Sequence, residues 1–237
     1  MTLQDLLRQL TFGELKSFSF AQNGKIDDAS MPTILEAITL SLNDLYSRFL
    51  LNEKELHILC FASKTQYPLR KQHAISDETT GVPKYILDTP DYPFDNDLIQ
   101  ILSVTDEVGY RVTMNDTGTH GSVFIPRYDT VQVTNPTNNK MLAITYQAKH
   151  PALLLFETGC SQVFLNQEII LPPILEEALR VRVASRVYSP MDRENQAAKV
   201  AMLDNKYEMI CSEAEQKNLI NGSAFNTIGK LEARGFV

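Results

Sequence analysis

The side chains that could bind a metal ion are histidines and cysteines spread widely along the chain. The histidines are isolated from one another and from any cysteine at ligand spacing: His57, His73, His120 and His150. The cysteines are odd in number and form no C-x-x-C pair: Cys60, Cys160 and Cys211. Zinc sites normally show at least two ligands close in sequence, and disulfide frameworks need paired cysteines. We therefore predict no metal, no cofactor and reduced thiols.

Carboxylates and one short segment could in principle supply acid–base or nucleophilic chemistry. Asp91, Asp95 and Asp97 are close in sequence, but nothing around them indicates the desolvated carboxyl group with a raised pKa that a general acid requires. The Thr-His-Gly-Ser segment at 119–122 lies between two predicted strands, where a hairpin turn is the simpler interpretation. The sequence has no nucleophile elbow, phosphate-binding loop or dinucleotide fingerprint. We therefore predict that the chain is not an enzyme.

The negative net charge of the chain argues against tight binding to a polyanion such as a nucleic acid. Its 237 residues carry 29 acidic and 22 basic side chains, a formal net charge of -7 at pH 7. Arg180, Arg182 and Arg186 share a predicted helix with two glutamates, which favours a solvated, ion-paired face. The stretch 77–97 holds six acids and one lysine, and this composition predicts an exposed acidic excursion. The first ten residues lack the features of a secretory signal and no long apolar run occurs, so we expect a cytoplasmic chain without a membrane span.

Hydrophobic periodicity predicts helical ends around a strand-rich middle. Apolar residues at steps of three and four predict a helix over about 31–50, and a weaker pattern covers 3–10. From about residue 55 the period changes to two, which predicts short antiparallel strands. These strands are expected at Leu56–Ala62, Asp97–Val104, Tyr110–Met114, Ser122–Ile125, Thr130–Thr134 and Met141–Ala148.

Two further helices are expected after Pro172. One covers about 173–188, with an apolar stripe of Leu175, Leu179, Val183 and Val187. It ends before Pro190, and a second helix over about 193–218 follows, so the two are predicted to form an αα-hairpin. The second helix has a narrow apolar seam suited to packing within a bundle or between subunits: Val200, Leu203, Tyr207 and Ile210.

Together the patterns predict an α+β fold, a helical bundle with a C-terminal αα-hairpin and an inserted, mainly antiparallel β domain. The expected parts are a helical part at 1–52, a β-rich domain at 53–170, the hairpin at 171–221 and a C-terminal tail at 222–237. The tail is too short to form a core, so it is either disordered or docks on a partner. Its spaced apolar residues are Phe225, Ile228, Leu231 and Phe236.

Several segments occur in an order that is found in a known family. The first half contains LNDLYSRFLLNEKE (42–55), QYPL (66–69) and a strand that starts with DLIQI (97–101). The second half contains ITYQAKHPAL (144–153), LPPILEEALRVRVASRVYS (171–189) and NKYEMICSEAEQ (205–216). A Tyr-x-Ala-x-His-Pro motif thus ends a strand, and a di-proline opens the penultimate helix. By the order and spacing of these segments, the chain resembles the head-to-tail adaptor proteins of tailed bacteriophages, the group that includes tail tubular protein A of short-tailed phages.

The resemblance implies a structural virion protein. Such adaptors form a ring, usually of twelve subunits, that attaches beneath the portal protein and carries the tail nozzle protein, with DNA passing through its channel. It implies a location in the tail of the virion, and in the host cytoplasm during assembly. It also implies that Phe225, Ile228, Leu231 and Phe236 dock on the portal. The stretches 77–97 and 152–170 have no counterpart in the family.

Two other functions remain open from the residues. The main alternative is a soluble α+β binding module, monomeric or dimeric, that recognises a ligand or a host protein through its sheet. A weaker one is a metal-dependent hydrolase that uses the acidic stretch. A negatively charged subunit without basic clusters is better suited to a channel through which DNA passes than to a protein that binds DNA tightly.

Overall fold

A computed structural model describes residues 1–18, 20–22, 25–89, 91–153, 165–189, 196–217 and 219–220. Within these residues the chain is a mixture of four α-helices and antiparallel sheets, as expected for the α+β class. It divides into two compact units, one of residues 1–50 with 150–237 and one of residues 51–149. None of the described helices combines the length and hydropathy needed to cross a bilayer.

The first unit contains all four described helices. They are α1 (Leu3–Phe12), α2 (Met31–Arg48), α3 (Pro173–Tyr188) and α4 (Gln196–Gln216), together with a short hairpin of β1 (Ala21–Gln22) and β2 (Lys25–Ile26). A capping box starts α1, because Thr2 Oγ1 accepts a hydrogen bond from the Asp5 amide and the Asp5 carboxylate accepts one from the Thr2 amide. Prolines open α2 and α3, where the missing N–H has no helical partner in any case. The helices predicted for 31–50, 173–188 and 193–218 are present, and their described ends differ from the prediction by two residues at most, while positions 193–195 lie outside the described residues.

Helix α3 is buried around most of its circumference. The residues of the predicted stripe are buried, but so are residues on its other sides, including Ala178, Val181 and Ala184. The reason is that α3 contacts α1, α2 and α4. A single apolar stripe was therefore too narrow a prediction for this helix.

In the described residues of the second unit there are eight strands in two sheets, and all of their strand pairings are antiparallel. One sheet has the order β5-β3-β10-β6-β7 and the other the order β4-β9-β8. The strands are β3 (Glu53–Leu59), β4 (Gln66–Pro68), β5 (Ile86–Leu87), β6 (Leu98–Asp106), β7 (Arg111–Val112), β8 (Val123–Arg127), β9 (Thr130–Val133) and β10 (Met141–Ala148). Both sheets contribute to one apolar core, with Ile58 and Ile144 from the larger sheet and Tyr67 and Val131 from the smaller one.

The six predicted strands are all present, and β10 has the predicted bounds. The short strands β4 and β5 were not predicted, because two or three residues show no measurable alternation. The expected β-rich domain ran to residue 170, whereas residues 165–170 belong to the first unit. There the Leu3 amide donates to the Gln167 carbonyl at 2.9 Å, and the Ile169 amide donates to the Met1 carbonyl at 2.8 Å.

Candidate functional site

The inner side of α4 packs against α3 within the same unit. Its predicted seam residues Leu203 and Tyr207 are buried there, while Val200 and Ile210 are half-buried. Cys211, which the predicted seam left out, is also fully buried on this side. Leu203 and Tyr207 are therefore already covered in a single chain, and they are not available to a second subunit.

Arginines of α3 tie this helix to both α2 and α4. Arg182 Nε and Arg186 Nη2 both donate to one carboxylate oxygen of Asp44 on α2, at 2.8 and 2.7 Å. Arg182 Nη1 donates to Asp204 on α4 at 2.9 Å, and the Ser185 hydroxyl donates to the same oxygen at 2.6 Å. The predicted ion pairing is present for these arginines, but they are half-buried rather than fully solvated, and their carboxylate partners lie on other helices.

Arg48 joins α2 directly to α4. Arg48 donates to Glu208 at 2.7 Å and to Glu215 at 2.6 Å. The hydrogen bond from Arg48 lowers the pKa of the Glu215 carboxyl group. The Tyr207 ring lies near two guanidinium groups, with its centroid 6.0 Å from Arg48 Cζ and 5.1 Å from Arg182 Cζ. Burial raises the pKa of the Tyr207 hydroxyl. Helix α4 is thus held along its length by apolar, aromatic and ionic contacts.

The outer side of α4 is exposed and partly apolar. Met202 and Met209 are 60% and 67% exposed, and a spacing of seven residues returns to within about 20° of the same helical direction. The exposed residues Ala198 and Asn205 continue this outer face. Met209 is only two residues from Tyr207, a rotation of about 200°, so the outer face points away from α3. The seven-residue spacing of the two methionines is visible in the sequence and indicates a second apolar face. The sequence analysis missed this face because it assigned only one apolar seam to the helix.

A second exposed apolar surface lies on α2. A groove of about 350 Å³ runs between α2 and the end of α3, lined by Thr33, Ala37, Leu40 and Val187, with Glu36 and Arg186 among its polar residues. Leu40 is exposed there. The first unit therefore has two different surfaces for a neighbour, a ridge on α4 and a groove on α2.

Carboxylates of the acidic stretch 77–97 make hydrogen bonds and ion pairs within the fold, which its composition did not predict. Asp88 accepts hydrogen bonds from the Ser76 amide at 2.9 Å and the Phe94 amide at 3.0 Å. Burial alone would raise the pKa of Asp88, but the hydrogen bonds from Ser76 and Phe94 outweigh it and the pKa is lowered. Asp97 binds Lys54 at 2.5 Å and the Tyr146 hydroxyl at 3.1 Å.

The other two aspartates considered for acid–base chemistry are an ion-paired and an exposed carboxylate. Asp95 binds Lys71 at 2.8 Å, and Asp91 is exposed. In the segment 119–122, His120 is exposed and the Ser122 hydroxyl donates to the Thr113 carbonyl at 2.9 Å. Among the described residues, these contacts bring no nucleophile and base together.

The histidine of the Tyr-x-Ala-x-His-Pro motif has a structural role. His150 Nε2 accepts the Ile170 amide at 3.2 Å, so the proton is on Nδ1, which donates to the Pro151 carbonyl at 2.6 Å. Burial lowers the pKa of His150, consistent with this neutral form. Tyr46 packs edge-on against the ring and donates to the Ile170 carbonyl at 2.5 Å. The motif therefore fixes residues near 170 to α2.

The other candidate ligands do not form a cluster in the described part of the chain. His73 is buried, His57 lies 3.2 Å from Glu55, and Cys60 and Cys211 are buried free thiols. Within the described residues, no group of three histidine, cysteine or acidic side chains could hold a metal ion. Cys160 and the tail residues Phe225, Ile228, Leu231 and Phe236 lie outside the described residues.

Comparison with protein-family models and with curated proteins gives no match to this chain.

Proposed function

We propose that this chain is a structural virion protein, an adaptor subunit that forms a ring between the phage portal and the tail nozzle. In this role the protein acts through its surfaces rather than by catalysis. The ring, of twelve subunits, encloses part of the channel through which DNA leaves the head. The order of sequence segments that resembles the head-to-tail adaptors motivates the proposal.

The observation that carries the proposal is the exposed outer face of α4. A ring needs two different surfaces on each subunit, because a head-to-tail contact places one patch against another around a closed circle. The methionines Met202 and Met209 provide an adaptable apolar ridge, and the groove beside Leu40 provides a concave surface on another part of the same unit. The contacts of Arg48, Arg182 and Tyr207 hold α4 in place, so this ridge is presented on an anchored element.

The finer architecture belongs to the same proposal. We infer that α1 to α4 form a helical bundle in which α3 and α4 are the C-terminal αα-hairpin. In support, α3 contacts the other three helices, and residues 51–149 interrupt the helical unit in sequence as an inserted β-rich unit would.

The tail and the charge complete the proposed assembly. The segment 222–237 is the proposed portal-docking tail, through Phe225, Ile228, Leu231 and Phe236. The net charge of -7 supports a channel that DNA passes rather than a surface that retains it. The chain would be in the host cytoplasm before docking and in the virion tail afterwards.

Ring assembly on the portal tests the proposal. The purified protein is mixed with the portal protein encoded in the same genome, and the products are examined by mass photometry and negative-stain microscopy. We expect a ring of adaptor subunits on each portal. The soluble binding module would instead be supported by one or two copies per portal, or by a monomer or dimer that does not bind the portal protein.

A charge introduced on the ridge separates the α4 surface from general assembly defects. Met202→Asp with Met209→Asp should abolish the ring while the far-UV circular dichroism stays unchanged, because both side chains are exposed. Phe12→Asp on α1 is the matched control, since it also replaces a large exposed apolar side chain with a carboxylate. Rings that form normally with the double variant would exclude the outer face of α4 as the subunit contact.

A further inference from the structure

Strand β3 has an open edge in the five-stranded sheet. On one side it pairs with β10 over its whole length, Glu53–Leu59, but on the other side it pairs with β5 only at His57 and Ile58. Residues 53–55 are exposed. Edges of this kind present free backbone donors and acceptors to other chains.

The direction of the free backbone groups follows from the ladder. The Leu59 amide donates to the Tyr85 carbonyl at 2.8 Å, on the β5 side. Backbone groups alternate in direction along an antiparallel strand, so those of His57, Glu55 and Glu53 point to the same side. Because β5 ends at Leu87, Glu55 and Glu53 have no strand partner there among the described residues.

A cleft of about 520 Å³ adjoins this edge. One wall is β3 from Lys54 to His57, and the opposite wall consists of residues 87–89 and 91–95. Phe94 and Tyr146 provide buried aromatic surface, and Tyr92 is 83% exposed beside them. The cleft therefore leaves room next to the open edge for an extended chain and its side chains.

The charge of the cleft identifies its occupant. Four carboxylates line it against one lysine and one histidine: Glu55, Asp88, Asp91 and Asp95 with Lys54 and His57. Apart from the histidine, the lining carries four negative charges and one positive charge, a net of -3. The partners Asp97 and Lys71, which bind Lys54 and Asp95 from outside the lining, cancel each other. Charge complementarity therefore favours a basic incoming strand.

We propose that the β3 edge binds an extended, lysine- or arginine-rich peptide segment of a partner protein as an added strand. Backbone hydrogen bonds to Glu55 and Glu53 align the peptide, and its basic side chains enter the acidic cleft. The tyrosine ring at position 92 covers the aliphatic part of these side chains. This site belongs to the β-rich unit and uses none of the α4 residues of the proposed ring contact, so the two proposals fail or succeed separately.

Peptide binding to the full chain tests the site. The probe is a fluorescent seven-residue peptide of alternating lysine and valine, measured by anisotropy at low salt. We expect a Kd in the micromolar range for this peptide. We expect no binding of a peptide with glutamate in place of lysine, and none of a lysine peptide methylated at every backbone nitrogen, which has no N–H donor for the ladder on either edge. Equal binding of either control peptide, or no binding of the lysine peptide, overturns the proposal.

Two charge reversals locate the peptide. Glu55→Lys with Asp91→Lys should weaken binding at least about tenfold, because it reverses the charge of the cleft lining. Glu78→Lys with Glu107→Lys is the matched control, since both side chains are exposed, neither is among the cleft residues, and the two reversals change the charge of the chain by the same amount. We expect it to leave the Kd unchanged. Equal effects of the two changes would show that the peptide responds to net charge alone, and would overturn the site.

Amide hydrogen exchange gives the second readout. Binding should slow exchange at the Glu55 amide, which the added strand would cover. Slowed exchange along β6 instead would assign the peptide to the other edge of the sheet. If the Glu55 amide is already protected in the peptide-free protein, the edge is occupied by a second copy or by residues 221–237, and the proposal is wrong.

Discussion

Replacing Tyr207 with alanine tests how α4 is held in the first unit. The side chain is 4% exposed, and its ring centroid lies 5.1 Å and 6.0 Å from the guanidinium carbons of Arg182 and Arg48. Truncation of a buried aromatic ring costs about 3–5 kcal/mol. Each cation–π contact contributes about 0.5–1 kcal/mol at a partly exposed site. We therefore expect a loss in the upper part of this range, about 4–5 kcal/mol.

Two further variants divide this loss into its causes. Tyr207→Phe keeps the ring close to the two arginines and removes only the hydroxyl group, which contacts the Cys211 thiol, so its cost should stay below about 1.5 kcal/mol. Tyr207→Leu keeps apolar volume but removes both cation–π contacts, so it should fall between the other two. The order of stability is then wild type, phenylalanine, leucine and alanine.

Ellipticity at 222 nm is the measurement, because all four described helices belong to the unit that contains Tyr207. Urea denaturation gives the loss in unfolding free energy, and thermal scans should show a fall in Tm of roughly 8–20 °C for the alanine variant. An alanine variant within about 1 kcal/mol of wild type would refute the view that this ring anchors α4. A phenylalanine variant as unstable as the alanine variant would refute the role of the ring face.

Three other perturbations follow from the contacts of single residues. Burial lowers the pKa of His150 from the ordinary value of 6.5, so this histidine binds a proton more weakly in the folded chain than in the unfolded chain. The unfolding free energy should therefore fall as the pH drops below about 6.5, and His150→Gln should flatten that dependence in urea titrations between about pH 5 and 7. Asp44→Ala leaves Arg182 without its α2 carboxylate and should cost about 2–3 kcal/mol in urea denaturation, whereas Asp44→Asn, which keeps an acceptor oxygen, should cost less than half of that. Burial raises the pKa of the Cys60 and Cys211 thiols. Both thiols should therefore react with a disulfide reagent at about pH 8 far more slowly in the native protein than in urea. The rates are measured on a variant that keeps only these two cysteines.

The acidic composition of the chain has different physical meanings at different sites. Asp44 and Asp88 both accept hydrogen bonds inside the structure, Asp44 from arginine side chains and Asp88 from backbone amides. Asp91 is exposed beside the open edge of β3 and is not matched in this way by any contact among the described residues. Net charge alone therefore predicts what the protein repels, but local pairing decides which carboxylates remain free to attract a partner.

Local periodicity was enough to predict most elements. The run Met141–Ala148 alternates in burial over much of its length, as a strand with one face in the core does, and α2 follows the apolar steps of three and four that predicted it. The di-proline at the start of α3 also acts locally, through the fixed backbone angle of proline. These features depend on residues within a few positions of one another, so the sequence by itself determined them.

Pairing across the chain was decided only by the tertiary structure. Arg182 binds Asp44 and Asp204, which are 138 and 22 residues away, and no spacing rule connects these positions. The same holds for His150, whose ring nitrogen accepts an amide twenty residues later. The open edge of β3 is likewise invisible in its sequence, because it exists only where β5 stops pairing at Leu87. Chain folding sets these distances through the packing of whole elements, and the candidate sites lie where that packing leaves a surface uncovered.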